Sequence, residues 1–191
     1  YQKQLSERRE IDFQDQINLA CSLLEEENVS HPFKYILVDE FQDTSQDRKR
    51  LIKAMLTQNE DTKLFAVGDD WQSIYRFAGS DIEIMTHFQD HFGPTAINYL
   101  TKTYRSYQGI ADVASTFIQR NPEQISKSVT AVETSESDQV IMVGYNKDSE
   151  IDEKVHEILN HLNSEAKKPG ESVFILARYN HQLKRSIRQY E

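Results

Sequence analysis

The stretch Tyr35-Ile36-Leu37-Val38-Asp39-Glu40-Phe41-Gln42-Asp43-Thr44-Ser45 constrains the fold of this chain more than any other. An apolar run leads straight into two adjacent carboxylates, and a helix-start signal follows at once. An unbroken run of that length suits a strand buried on both faces, as in a parallel sheet. The carboxylates then stand at the strand's carboxyl end, where open α/β sheets place their ligands. An acid there, such as Asp39, can hold Mg²⁺ directly or through water. Its neighbour Glu40 can orient or deprotonate an attacking water in phosphoryl transfer.

The rest of the chain alternates in the same manner. Residues 12–27 place Phe13, Ile17, Ala20, Cys21 and Leu24 on one helical stripe, with Asp12 as cap. Pro32 breaks the chain before the strand. Thr44 or Ser45 caps a second helix with Leu51, Ile52, Met55 and Leu56 inward. Lys63 to Val67 is a second buried strand ending in Gly68-Asp69-Asp70, so a right-handed βαβ unit is expected. Ser80 or Asp81 caps a helix running through His91, and Ala96 to Leu100 reads as a short strand. Ser106 to Gln119 reads as a helix with Ile110, Val113, Ala114 and Phe117 inward.

A polar connection then runs to Gln139, with a short strand around Val129 to Val132. Val140 to Val143 is expected to be a strand. The helix after it is capped by Asp148 or Ser149 and carries Ile151, Val155, Ile158, Leu159 and Leu162 on one stripe. Val173 to Ala177 reads as another buried strand, and Asn180 begins a last helix. Strands alternating with helices imply an α/β layered fold.

Composition narrows the class. Lys+Arg 22 against Asp+Glu 31 gives a formal net charge of -9 over 191 residues. That balance opposes a strong nonspecific grip on nucleic acid by this chain alone, because such affinity comes mostly from cations neutralising phosphates. No apolar run approaches the ~18 residues of a membrane helix, and no signal-peptide pattern appears. With Cys21 the only cysteine, a reduced, cytoplasmic protein without membrane association is expected. The histidines show no ligand spacing, so no zinc site is expected. The first residue, Tyr1, suggests a piece of a longer polypeptide.

A second constellation sharpens the chemistry. Gly68-Asp69-Asp70-Trp71-Gln72-Ser73-Ile74-Tyr75 sets a glutamine and a hydroxyl just past a parallel strand, within reach of a terminal phosphate. Tyr104-Arg105-Ser106 offers an arginine at a helix start, with an aromatic beside it suited to stacking on a base. Together with the first stretch, these residues resemble motifs II, III and IV of the UvrD/Rep branch of superfamily 1 helicases. Ile11 to Gln16 and Phe174 to Asn180 resemble flanking segments of the same family, so the resemblance covers nearly the whole chain in order.

That resemblance implies parts of two RecA-like (P-loop NTPase) domains, with parallel sheets flanked by helices. Residues 1–97 would be the back half of the first and 98–191 the front part of the second. It implies ATP and Mg²⁺ as cofactors and single-stranded DNA as partner, with 3′ to 5′ movement along it. Asp39 would bind the metal, Glu40 would be the catalytic base, and Gln72 would contact the γ-phosphate. Arg105 would be the arginine finger and Tyr104 would stack near the adenine. Tyr75 and Phe77, in the second half of motif III, fall where the family places an aromatic against DNA bases. Phe77 stands where most relatives carry tryptophan, Ala78 where many carry arginine, and Trp71 where many carry aspartate.

No Gly-x-x-x-x-Gly-Lys-Ser/Thr occurs in the sequence, so the phosphate cradle is missing. The resemblance places the family's first motifs before Tyr1 and motifs V and VI after Glu191, and the chain alone is expected to be inactive. Two other functions stay open at this point. One is a metal-dependent nuclease in which Asp39, Glu40, Asp43, Asp69 and Asp70 hold two ions. The other is a non-catalytic module that binds DNA or a protein. Asp69 and Asp70 either shape their turn or act directly on metal or phosphate. Half of a RecA-like sheet would leave an apolar edge and face uncovered, so dimerisation or aggregation of the chain is also expected.

Overall fold

The apolar run forms strand β1 (Tyr35–Val38), and Lys63–Ala66 forms β2 parallel to it, with Val38 opposite Ala66. The computed structural model describes residues 1–134, 140–147, 150–162 and 172–182. The chain divides into two compact units, Tyr1–Gln139 and Val140–Glu191.

In the first unit, helix α1 (Gln2–Arg8) precedes α2 (Phe13–Glu25). Asp12 caps α2 in a full capping box, its Oδ1 accepting the Asp15 N–H at 2.8 Å. Ser45 caps α3 (Gln46–Gln58), which crosses from β1 to β2 and packs along α2. Cys21 and Leu24 are buried at that seam, while Phe13 at the start of α2 stays exposed. The Gln58 amide donates to the carbonyls of Leu24 and Val29, and Arg50 pairs with Glu25 on the rim.

The core is small. Phe41, Ile52 and Ile84 are buried at its centre, with Val38, Leu56, Leu64, Ala66, Met85, Phe88 and Phe92 packed around them. Phe41 meets Phe88 and Phe92 edge-on, at centroid distances of 5.2 and 5.9 Å. Only one face of the β1–β2 pair is covered in this way. Tyr35, Leu37 and Phe65 point away and are open, Leu37 at 74% exposure. The expectation of strands buried on both faces is therefore wrong: the packed residues of this cluster cover one side of a two-stranded sheet.

The helix expected from residue 80 to His91 is broken into α4 (Glu83–Thr86) and α5 (Phe88–Phe92). His87 leaves helical geometry, and the Thr86 hydroxyl bonds locally to the Ile82 carbonyl and the His87 ring. The strand expected at Ala96 to Leu100 is absent from its place. The ladder forms instead between β3 (Lys102–Thr103) and β4 (Thr130–Ala131), where a parallel partner exists, and β4 matches the short strand expected there.

Between them lies α6 (Gln108–Ile118). Its buried position is Ala111, whereas Ile110, Val113 and Phe117 are exposed, contrary to their expected inward face. The stripe is apolar as read, but the two-residue ladder is too short to cover it.

In the second unit, α7 (Ile151–His161) forms as expected, and Glu150 precedes it as N-cap. Asp148 and Ser149 lie outside the described residues. Val140 to Val143 and Val173 to Ala177 are not strands. Among the described residues neither segment has a ladder partner, which a strand requires, and Met142, Phe174 and Leu176 are exposed. A helical turn does begin at Asn180.

The small core makes a clear prediction. Ile84→Ala should cost about 3 kcal/mol of stability in denaturant unfolding, whereas Phe77→Ala, at an 87% exposed position, should change it by no more than about 0.5 kcal/mol.

Candidate functional site

Because Val38 and Ala66 are in register, the chain leaves both strands at the same edge of the sheet. After β1 it turns immediately. Asp39 is exposed, and its Oδ1 accepts the Glu40 N–H at 2.9 Å. Glu40 adopts φ 49°, ψ 46°, a left-handed conformation that costs a side-chain-bearing residue about 1 kcal/mol. That kink starts a 3₁₀ turn over Phe41–Asp43 and drives Phe41 and Gln42 inward. The Phe41 N–H donates to the Val67 carbonyl at 2.9 Å, carrying the pairing past the strand ends.

Gln42, 2% exposed, joins the two strand tips. Its Nε2 donates to Glu40 Oε2 at 2.7 Å, and its Oε1 accepts the Asp69 N–H at 3.0 Å. A buried amide with donor and acceptor both satisfied is held firmly, since losing either bond leaves a desolvated polar group. Gly68 makes the approach possible. A Cβ there would lie 2.7 Å from Gln42 Oε1 and 3.0 Å from the Phe41 nitrogen.

The second turn is a 3₁₀ segment over Asp70–Gln72 capped by Asp69. Asp69 Oδ1 accepts the Trp71 N–H at 3.1 Å, and Oδ2 accepts Gln72 Nε2 at 2.7 Å. Glu40, Gln42, Asp69 and Gln72 thus form one continuous hydrogen-bonded chain across the ends of β1 and β2. Of the residues expected to converge, Asp39, Glu40 and Gln72 are brought to this edge.

The sequence reading gave Gln42 no part of its own, and it missed Lys127 altogether. Lys127 Nζ donates to Asp69 Oδ1 at 2.5 Å and to Asp70 Oδ1 at 2.6 Å, and it sits 4.7 Å from the centre of the Trp71 ring. Asp70, only 1% exposed, also accepts the Ile125 N–H at 2.7 Å, while the Trp71 indole donates to the Ile125 carbonyl at 3.1 Å. With its amide turned to satisfy both ends, Gln124 donates to the Asp70 carboxylate as well. A lone lysine in a polar tract carries no spacing signal that could have revealed this.

The Asp69 carboxyl lies below its ordinary value of 3.8. Burial pushes it upward, but the hydrogen bonds from Lys127 and Gln72, the Lys127 charge and the Trp71 N–H together outweigh that push.

Asp69 and Asp70 are thus committed to Lys127 and to local backbone. The five-carboxylate metal centre of the nuclease reading is not assembled: among the described residues, no group of three or more His, Cys, Asp or Glu side chains is placed to hold a metal. Asp43 leaves Oδ1 buried without a hydrogen-bond partner, while its carbonyl accepts from Arg48 and Ser80.

Tyr104 and Arg105 follow β3 directly, both exposed, and the Arg105 N–H donates to Thr103 Oγ1 at 3.3 Å. Tyr75 precedes, and Phe77 lies within, a 3₁₀ turn over Arg76–Ala78 that Gly79 closes at φ 93°. Their rings are 6.0 Å apart and both are exposed.

The site is a set of acidic and amide side chains at adjacent tips of a parallel α/β unit. Residues 1–93 match the family model of the UvrD/REP helicase N-terminal domain. The chain is similar to DNA helicase IV of Escherichia coli, 40% identical over 177 residues, covering 93% of this chain and 25% of that protein. It is similar to the ATP-dependent DNA helicase PcrA of Staphylococcus epidermidis, 35% identical over 134 residues, covering 68% of this chain and 18% of that protein. The PcrA of Staphylococcus aureus is 33% identical over 140 residues, covering 71% and 19%. These findings support the UvrD-like helicase family. The chain spans a quarter or less of the length of these relatives. Among the described residues no helix is long and apolar enough to cross a membrane.

Two measurements test this geometry. Gly68→Ala should displace Gln42 and cost about 1–3 kcal/mol by denaturant unfolding, the range for leaving a buried polar group unpaired. The lowered Asp69 carboxyl should contribute stability that is complete above its ordinary value of 3.8 and lost as pH falls through its lower folded value. Stability measured against pH should therefore fall less steeply in this acid range for Asp69→Asn than for the wild type.

Proposed function

We propose that this chain is the ATP-hydrolysing edge of a UvrD-like DNA helicase, comprising the later part of one RecA-like domain (1–97) and the beginning of the next (98–191). The observation that carries the reading is the hydrogen-bonded chain Glu40–Gln42–Asp69–Gln72, which links a carboxylate at one strand tip to an amide beyond the other. The family match over residues 1–93 and the name ATP-dependent DNA helicase borne by two of the relatives support it.

The residues suit Mg-ATP. Asp39 is an exposed, hard oxygen donor, and Mg²⁺ takes one or two carboxylates alongside phosphate oxygens and water. When bound, Mg-ATP supplies the terminal phosphoryl group for transfer to water. Gln42 fixes one Glu40 oxygen, which orients the carboxylate to accept a proton from that water. Gln72 Nε2, held by Asp69, is a donor for a phosphate oxygen. Arg105 would bring a guanidinium to the transferring group from the second domain, and Tyr104 would stack near the base of the nucleotide. The exposed pair Tyr75 and Phe77 would stack on bases of single-stranded DNA.

In the longer polypeptide that supplies a phosphate-binding loop, Glu40→Gln should lower kcat for DNA-stimulated ATP hydrolysis by about 10²–10⁴-fold, the span for loss of a general base. An unchanged rate would sink the assignment. The 191-residue chain itself should show no such hydrolysis. Phe77→Ala should weaken binding of a dye-labelled oligothymidine about fivefold or more by anisotropy, given ~1–3 kcal/mol per stacked base.

A further inference from the structure

We infer that Lys127 is a positioning residue for Gln72, and that it ties the Gln72 turn to the strand pair leading into Arg105. The functional weight of this inference rests on the proposed reading of Gln72 as the phosphate donor; the placement itself does not.

Among the described residues Gln72 Nε2 has one side-chain acceptor, Asp69 Oδ2, at 2.7 Å. The other oxygen of that carboxylate is held by Lys127 Nζ at 2.5 Å, so the ammonium fixes the rotation of the group that Gln72 reads. Lys127 is itself fixed from two other sides. Asp70 Oδ1 accepts from it at 2.6 Å, and the face of Trp71 lies 4.7 Å away. Neither carboxylate can turn without leaving the ammonium incompletely paired in a setting where Asp70 is almost wholly enclosed.

The same lysine belongs to the segment that runs into β4. Ile125 donates to Asp70 and accepts from the Trp71 indole, so the segment is fastened at two residues. From there the chain reaches Thr130, paired with Lys102 in β3, and Gln108 holds the Val129 carbonyl and the Ala131 N–H. Arg105 follows β3 after a single residue. A displacement of β3 and β4 thus reaches the Gln72 amide through a short run of covalent chain and one ammonium.

The test uses the 191-residue chain without nucleotide, so its outcome does not depend on whether Gln72 meets a phosphate. The side-chain amide pair of Gln72, assigned through its loss in Gln72→Ala, is followed by ¹⁵N NMR together with the indole N–H of Trp71, the only tryptophan. Lys127→Met should move the Gln72 pair to the position of a solvated glutamine, and Lys127→Arg should restore most of the shift. A Gln72 pair that stays in place in a folded Lys127→Met chain overturns the inference, even if the Trp71 signal moves, because a merely structural lysine would do the latter alone. Should Lys127→Met not fold, the wild type still decides. Slowly exchanging Lys127 ammonium protons with a cross-peak to the Trp71 ring support the placement, and freely exchanging ones without it overturn it.

Discussion

Everything at this edge of the sheet depends on the Gln42 amide. Parallel pairing brings the ends of β1 and β2 together, but backbone pairing alone would let the two following turns move independently. A buried amide that donates to Glu40 and accepts from Asp69 removes that freedom. It can lie there because Glu40 kinks into a left-handed conformation and because position 68 has no side chain. A glutamine, a strained acid and a glycine, far apart in kind, thus serve one geometric purpose.

The polar chain continues outward with increasing exposure. Gln42 is enclosed, Asp69 is half-buried and Gln72 is exposed. That gradient suits the proposed site: the inner members are held by desolvation, which makes each lost hydrogen bond costly, while the outermost amide is open to solvent. Lys127 adds charge where two adjacent carboxylates would otherwise repel each other, and Asp70, which faces the interior, becomes tolerable because it is paired.

The sequence revealed the elements whose signals are local. The Asp12 and Ser45 caps, with α3 behind the latter, stand where capping residues place them, and the two parallel strands, α6 and α7 stand where their apolar patterns place them. It misjudged what depends on a partner. Residues 96–100, 140–143 and 173–177 have strand-like composition but no ladder among the described residues, and the apolar stripe of α6 has too little sheet to cover it. The strand-tip residues Asp39, Glu40 and Gln72 were legible because a parallel strand's carboxyl end is a position with known chemistry. Lys127 was not, since its role arises from a fold-back contact more than fifty residues away along the chain. The family resemblance read from the motifs agrees with the family model and the relatives that match.

The open side of β1 and β2 carries a practical consequence. Tyr35, Leu37, Phe65 and Val67 present apolar area to water on the uncovered side of the strand pair. Sulfate and similar excluded salts raise the free-energy cost of such a patch by strengthening the drive to remove it from solvent. This chain should accordingly salt out early for its size, in spite of a net charge of -9, because added salt screens the repulsion that would otherwise keep molecules apart while sharpening the attraction between their bare sheet faces.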